Sequence, residues 1–123
     1  MPSHTILYIE DNLENRILIR RILTAEGYAV LEAEHANQAL EIIRDKVPDL
    51  ILMDINMPEI DGYTLTSKIK SLPELADVPI IALTANVMKG DRERILQAGC
   101  DDYIHKPIDV DQLPLQIANC LKR

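Results

Sequence analysis

The sequence lacks tryptophan and phenylalanine, and its aromatic content is limited to four tyrosines. Its core must therefore be aliphatic, built from Ile, Leu, Val, Ala and Met. Cysteine is also scarce, because Cys100 and Cys120 are too few to form a disulfide framework. Both lie in mainly apolar segments, so we expect them to be reduced thiols in the core of a cytosolic protein.

Long apolar runs and a targeting sequence are missing as well. No apolar run approaches the ~18 residues that a membrane span needs. The N-terminal residues MPSHT lack the basic-then-apolar pattern of a signal peptide. We therefore expect a soluble, cytoplasmic protein with no membrane partner.

An excess of positive charge is also absent, since 13 Lys and Arg residues face 20 Asp and Glu residues, for a net charge of −7 at pH 7. Non-specific binding to nucleic acid requires a basic face, so the composition argues against a nucleic-acid partner. A chain of 123 residues is long enough for one domain with a real core and too short for two ordinary domains. We expect a single domain over residues 1–123, with no output domain.

Five short apolar runs alternate with stretches of helical spacing. The runs are TILYIE (5–10), YAVLEAE (28–34), LILMD (50–54), VPIIALT (78–84) and CDDYIHK (100–106). Strand followed by helix, five times over, predicts an α/β fold: a doubly wound parallel sheet with helices on both faces. The second run alternates in polarity, which is typical of an edge strand. Pro114 favours a start of the last helix at Asp111, because an earlier start would place the proline past the first turn.

Polar residues stand where four of these runs end. They are Glu10 and Asp11 after the first, Asp54 in the third, Thr84 in the fourth and Lys106 after the fifth. Each has a simple structural explanation: the first two acids or the threonine could cap a helix, Asp54 could begin a turn, and the lysine could be a solvated surface charge. In a parallel α/β sheet, however, ligands bind beyond the C-terminal ends of the strands. The five residues together therefore favour one functional site.

The chemistry of this group favours a divalent cation and a phosphoryl group. Clustered carboxylates repel one another unless a cation joins them. Mg²⁺ takes one or two carboxylates, keeps several waters and leaves room for phosphate oxygens. A lysine ammonium and a threonine hydroxyl suit phosphate oxygens, and an aspartate can accept a phosphoryl group as an acyl phosphate.

The motifs around these residues resemble the receiver domains of two-component response regulators. They are YIEDN, LILMDINMPEIDG, IIALTA and YIHKPI, in the order and spacing of that family, and the resemblance covers the chain from Thr5 to the last helix. It implies a flavodoxin-like fold of five βα units with strand order 2-1-3-4-5. It also implies a switch that takes a phosphoryl group from a phosphohistidine with Mg²⁺ as cofactor. Such a switch is no enzyme beyond its own phosphorylation and slow dephosphorylation.

The same resemblance assigns the acidic residues. Asp54 takes the position of the phosphoacceptor. Asp11, Asp54 and the backbone carbonyl of Asn56 would bind Mg²⁺, with Glu10 acting through water. Asn56 also bears on an alternative function, that of a phosphatase of the dehalogenase-like class. Such enzymes need a second aspartate at that position as general acid, and an asparagine cannot donate a proton as a carboxylic acid does.

The resemblance also assigns a switch. Thr84 and Lys106 would hold the phosphoryl group, and the Lys106–Pro107 peptide bond would be cis. Tyr103 takes the position of the family's switch aromatic, whose ring turns inward when the threonine moves toward the phosphate. The alternative is that Tyr103 is simply a half-buried strand tyrosine.

The partner implied by the resemblance is a histidine kinase or a histidine phosphotransfer protein. The first helical stretch carries six apolar residues, more than one core stripe needs: Leu13, Ile17, Leu18, Ile19, Ile22 and Leu23. We hypothesise that Asn15, Leu18 and Ile108 form part of a docking patch. The alternative is that all six apolar residues belong to the core.

Other functions stay open at this point. A flavin-binding domain of the same architecture would need a Ser/Thr/Gly-rich loop where this chain has EDNLENR. A degenerate receiver that binds partners without phosphorylation is disfavoured by the intact set of acids, threonine and lysine. The resemblance fits both a standalone regulator and the receiver of a hybrid histidine kinase.

Overall fold

The computed structural model describes residues 4–55, 62–85 and 89–122, without the side chains of residues 89–91. Its centre is a parallel sheet of five strands in the order β2-β1-β3-β4-β5. The strands are β1 (Thr5–Ile9), β2 (Ala29–Ala33), β3 (Leu50–Asp54), β4 (Ile80–Thr84) and β5 (Asp102–His105). The predicted fold, strand order and edge position of β2 are confirmed.

Five α-helices connect or follow these strands. They are α1 (Leu13–Ala25), α2 (Ala36–Asp45), α3 (Gly62–Lys70), α4 (Lys89–Ala98) and α5 (Gln112–Leu121). A short 3₁₀ turn over Pro73–Leu75, which the sequence pattern did not predict, precedes β4. None of the helices in the described part of the chain has the length and apolar character needed to cross a bilayer.

The helix ends follow local sequence signals. Asn12 is the N-cap of α1, since its side chain accepts a hydrogen bond from the backbone N–H of Asn15 at 2.9 Å. Gly27 and Gly99, just past α1 and α4, adopt φ of 90° and 111°, a region that favours glycine. Asp111 precedes the first turn of α5, so Pro114 stands where no intrahelical hydrogen bond is owed.

Apolar side chains fill both faces of the sheet. Helices α2, α3 and α4 pack on one face around Ile43, Ile69 and Ile95. Helices α1 and α5 pack on the other face. The core is aliphatic as predicted, apart from the fully buried Tyr8, and both cysteines are buried thiols that form no disulfide.

Candidate functional site

Three carboxylates meet at the C-terminal edge of the sheet. Glu10 and Asp11 directly follow β1, and Asp54 ends β3. Because β1 and β3 are hydrogen-bonded neighbours, with Ile9 opposite Met53, their ends lie side by side. One oxygen from each carboxylate lies within 4.8 Å of the others. Glu10 and Asp54 are buried, whereas Asp11 is exposed.

Lys106 brings a positive charge to this group from the segment after β5. Its Nζ donates a hydrogen bond to Asp54 Oδ1 at 3.2 Å and lies 3.7 Å from Glu10 Oε1. Its backbone N–H donates to the carbonyl of Thr84 at 2.8 Å, which ties the segment to the end of β4. The Lys106–Pro107 peptide bond is cis.

Glu10 is held by two further donors that the sequence pattern did not reveal. The Tyr8 hydroxyl donates to Glu10 Oε1 at 3.0 Å, and Asn15 Nδ2 donates to the same oxygen at 3.2 Å. Tyr8 is on β1, two residues before Glu10, so the two side chains face the same side of the sheet. That spacing, together with a polar hydroxyl inside an apolar strand, is the signal that could have identified it.

Burial raises the pKa values of both Glu10 and Tyr8. Burial, and then the hydrogen bond and negative charge of Asp54, raise the pKa of Glu10 from 4.5 to about 7, although Lys106 and Tyr8 oppose the increase. Burial and the nearby Glu10 raise the pKa of Tyr8 well above its usual value. Tyr8 is therefore a hydrogen-bond donor at every physiological pH.

The carboxylate group fits a hard divalent cation. Its donors are all oxygens, and one of its three members faces solvent, which gives an ion an entry path. The effect of Asp54 on the pKa of Glu10 indicates an excess of negative charge that a cation would relieve. Asn56, whose carbonyl the resemblance assigns to the same ion, lies outside the described residues.

The two residues assigned to the switch stand on neighbouring strands. Thr84 ends β4 and is 2% exposed. Tyr103 lies on β5, opposite Ala82, and is half-buried against the α2–α4 side of the core. Arg92 of α4 donates to the Tyr103 hydroxyl from Nε at 2.9 Å and from Nη2 at 2.6 Å. Sequence reasoning missed Arg92, because the contact joins two elements.

The residues of the hypothesised docking patch differ in exposure. Leu18 is 45% exposed, and Leu13 is 59% exposed, so the alternative that all six apolar residues of α1 are core is wrong for these two. Asn15 is half-buried and bonded to Glu10. Ile108 is half-buried against the α1 and α5 side of the core.

Comparison with known proteins adds independent findings. The family model described as the response regulator receiver domain matches residues 6–118. The polar-differentiation response regulator DivK of Brucella anthropi is 46% identical over 110 residues, which make up 89% of this chain and 89% of that protein.

Two solved structures share the fold. One is the receiver domain of sensor histidine kinase PA1611 from Pseudomonas aeruginosa PAO1, with a magnesium ion coordinated in its active-site cleft. It is 38% identical, with a TM-score of 0.90, and the match covers 99% of this chain and 100% of that one. The other is the signal receiver domain of a signal transduction histidine kinase from Syntrophus aciditrophicus. It is 32% identical, with a TM-score of 0.89 over 98% of this chain and 91% of that one.

Proposed function

The chain belongs to the response regulator receiver domains of two-component signalling, and we propose that it works as a switch by accepting a phosphoryl group from a phosphohistidine onto Asp54. Receiver domains are signalling switches rather than turnover enzymes. The observation that carries the proposal is the 3.2 Å hydrogen bond from Lys106 to Asp54. Two further carboxylates lie beside Asp54. A single receiver domain over residues 1–123 is part of the proposal.

In the proposed transfer, a carboxylate oxygen of Asp54 attacks the phosphorus atom of the phosphohistidine. The new O–P bond forms as the P–N bond breaks, and the electron pair of the P–N bond goes to the imidazole nitrogen, which takes up a proton. The Lys106 ammonium, which donates a hydrogen bond to the attacking Asp54, stabilises charge on the phosphoryl oxygens. Slow attack by water on the phosphorus of the acyl phosphate then releases inorganic phosphate, returns the Asp54 carboxylate and resets the switch.

Glu10, Asp11 and Asp54 are the residues proposed to hold Mg²⁺, together with the Asn56 carbonyl. Support comes from their all-oxygen donor set and from the PA1611 receiver domain, whose cleft holds a magnesium ion. When bound, the ion neutralises negative charge on the phosphoryl oxygens. The three carboxylates would hold the ion, and hydrogen bonds from Tyr8 and Asn15 fix one oxygen of Glu10 for that role.

Thr84 and Tyr103 are proposed to transmit the modification. A phosphoryl group at Asp54 adds close to two negative charges and strong acceptor oxygens, toward which the Thr84 hydroxyl moves. The Tyr103 ring then turns inward, which changes the surface formed by α4, β5 and α5. The two hydrogen bonds from Arg92 oppose that rotation, because they hold the Tyr103 hydroxyl on the α4 side.

The proposed phosphodonor is a histidine kinase or a histidine phosphotransfer protein, since receiver domains interact with proteins of both kinds. Asn15, Leu18 and Ile108 remain the proposed docking patch, supported by the exposure of Leu18. The downstream partner is proposed to be a protein rather than nucleic acid, because the net charge is −7. The cytoplasmic location stays a prediction from the sequence.

Mass spectrometry after incubation with acetyl phosphate and Mg²⁺ tests the proposal. We expect wild type to gain the mass of one phosphoryl group and Asp54→Asn to gain none, since an amide cannot form the acyl phosphate. Full labelling of Asp54→Asn would rule out Asp54 as the acceptor. Absence of labelling in wild type would favour a degenerate receiver, and sustained turnover of small phosphate esters would favour a phosphatase.

A further inference from the structure

Arg16 of α1 contacts the backbone of Glu10 and is 6% exposed. Its Nη1 donates a hydrogen bond to the backbone carbonyl of Glu10 at 2.8 Å. Its Nη2 donates to Glu34 Oε1 at 2.9 Å, and its Nε lies 3.6 Å from Glu32 Oε1. One buried guanidinium therefore joins the end of β1 to residues at the end of β2.

The Glu10 carbonyl needs such a donor. Glu10 is 1% exposed, and a buried carbonyl without a hydrogen-bond partner is costly. The Glu10 N–H already donates to the Ala33 carbonyl at 2.9 Å, as the last contact that β1 makes toward β2. With Arg16 on the carbonyl, both backbone polar groups of Glu10 are bonded. The peptide unit that leads into Asp11 is therefore held in one orientation.

We propose that Arg16 is a positioning residue of the acidic pocket: it fixes the Glu10–Asp11 peptide so that both side chains face Asp54. Glu32 and Glu34 hold the guanidinium in turn, which makes the geometry of the pocket depend on the edge strand. Only the Mg²⁺ part of the inference rests on the proposed function.

The planar guanidinium is essential to this role. It presents several N–H donors in a fixed fork, and here it serves a carbonyl and two carboxylates at once. A lysine ammonium is a compact charge that cannot span these acceptors. Arg16→Lys should therefore keep the buried charge and lose the positioning.

Arg20 offers a matched control one helical turn further along α1. Its Nη1 donates to Glu32 Oε2 at 2.9 Å, but its side chain is 50% exposed. Arg20→Gln removes a positive charge and an ion pair to the same glutamate, on the solvent side of the helix. It therefore separates the effect of lost charge from the effect of lost contact with Glu10.

The experiment measures Mg²⁺ affinity by calorimetric titration and the backbone amide shift of Asp11 by NMR in metal-free protein. For Arg16→Gln and Arg16→Lys we expect the Mg²⁺ affinity to fall by about tenfold or more, as for other residues that orient metal ligands. We also expect the Asp11 amide signal to be displaced in both variants. For Arg20→Gln we expect neither change. Glu34→Gln, at an exposed position, should shift both readouts in the same direction but less, and it decides the matter if the Arg16 variants fail to fold.

Unchanged Mg²⁺ affinity and an unchanged Asp11 signal in folded Arg16 variants would overturn the inference, as would equal losses in Arg20→Gln. For unfolded Arg16 variants, an unchanged Glu34→Gln would overturn it. The amide readout needs no phosphotransfer. Wild-type protein that binds Mg²⁺ but gains no mass with acetyl phosphate would therefore contradict the proposed function, and it would not contradict the positioning role of Arg16.

Discussion

Glu10 is a residue whose protonation depends strongly on its surroundings. It is 1% exposed, lies beside Asp54 and Lys106, and receives two hydrogen bonds on one oxygen. Because the pKa of Glu10 is about 7, a proton can neutralise its carboxylate near neutral pH in place of a cation. Protonation and metal binding therefore compete at this carboxylate.

The raised pKa of Glu10 predicts a pH dependence of stability in metal-free protein. The folded state binds this proton more tightly than the unfolded state, so its contribution is complete below pH 4.5 and is lost as the pH rises through about 7. The loss is at most about 3 kcal/mol. Urea unfolding in a chelator across this range should show a steeper decline for wild type than for Glu10→Gln.

The Glu10→Gln variant is the reference for wild type, because glutamine has nearly the same shape as glutamate and carries no titratable proton. Added Mg²⁺ should restore the stability of wild type at the upper end of the range, since the cation offsets the carboxylate charges. Identical pH slopes for the two proteins in chelator would show that Glu10 ionises normally.

At the level of secondary structure, the C-terminal and N-terminal edges of the sheet, where the parallel strands end and begin, have different roles. The C-terminal edge carries the candidate site, whereas side-chain hydrogen bonds join neighbouring elements at the N-terminal edge. At that edge Lys70, the last residue of α3, donates to the Val78 carbonyl at 2.7 Å and to Asp101 Oδ2 at 3.2 Å. Asp101 Oδ2 also accepts the backbone N–H of Ile80 at 2.9 Å, so one contact joins α3, β4 and the approach to β5.

Lys70→Met should therefore destabilise the fold without impairing the site. The substitution removes the ammonium from the Val78 carbonyl and from the partly buried Asp101 carboxylate, which keeps only the Ile80 N–H among these donors. This loss should cost about 1–3 kcal/mol of unfolding free energy. Lys68→Met, an exposed position on the same helix, should change stability by less than about 0.5 kcal/mol. Equal unfolding midpoints for the two variants, or a loss of labelling by acetyl phosphate in Lys70→Met, would contradict this assignment.

For the whole molecule, the proposed switch is a shift between two pre-existing states. A phosphoryl group can bias that equilibrium only by as much as it binds one state better than the other. A coupling of about 1–3 kcal/mol is enough for a several-fold change in partner affinity. In the proposed switch, the Arg92–Tyr103 contact would stabilise the state in which the ring points outward, because it would break when the ring turns inward.

Thr84→Ala should accept the phosphoryl group and fail to transmit it. Asp54 and Lys106 remain in this variant, so labelling by acetyl phosphate should persist, whereas the hydroxyl that moves toward the phosphate is gone. NMR shifts on adding beryllofluoride, a phosphoryl mimic, should spread to residues around Tyr103 in wild type and stay near Asp54 in Thr84→Ala. Equal responses around Tyr103 in both proteins would mean that another residue makes the connection.

The sequence by itself determined the fold and named most of the residues that meet at the candidate site. Apolar runs separated by helical spacing predicted five strands and five helices, and the alternating second run predicted the edge position of β2; both are confirmed. These features were predictable because periodicity records which side of each element faces the core. The acids and the lysine were predictable because parallel strands place their C-terminal ends along one edge.

Only the tertiary structure decided which side chains touch. Lys106 contacts Asp54 across 52 residues of sequence, and Arg16 reaches Glu34 across 18. The hydrogen bond from Tyr8 to Glu10 joins β1 to the residue directly after it, yet it depends on the pocket into which both side chains point. Periodicity carries no information on such pairs, because partners from different elements meet only once the helices have packed on the sheet.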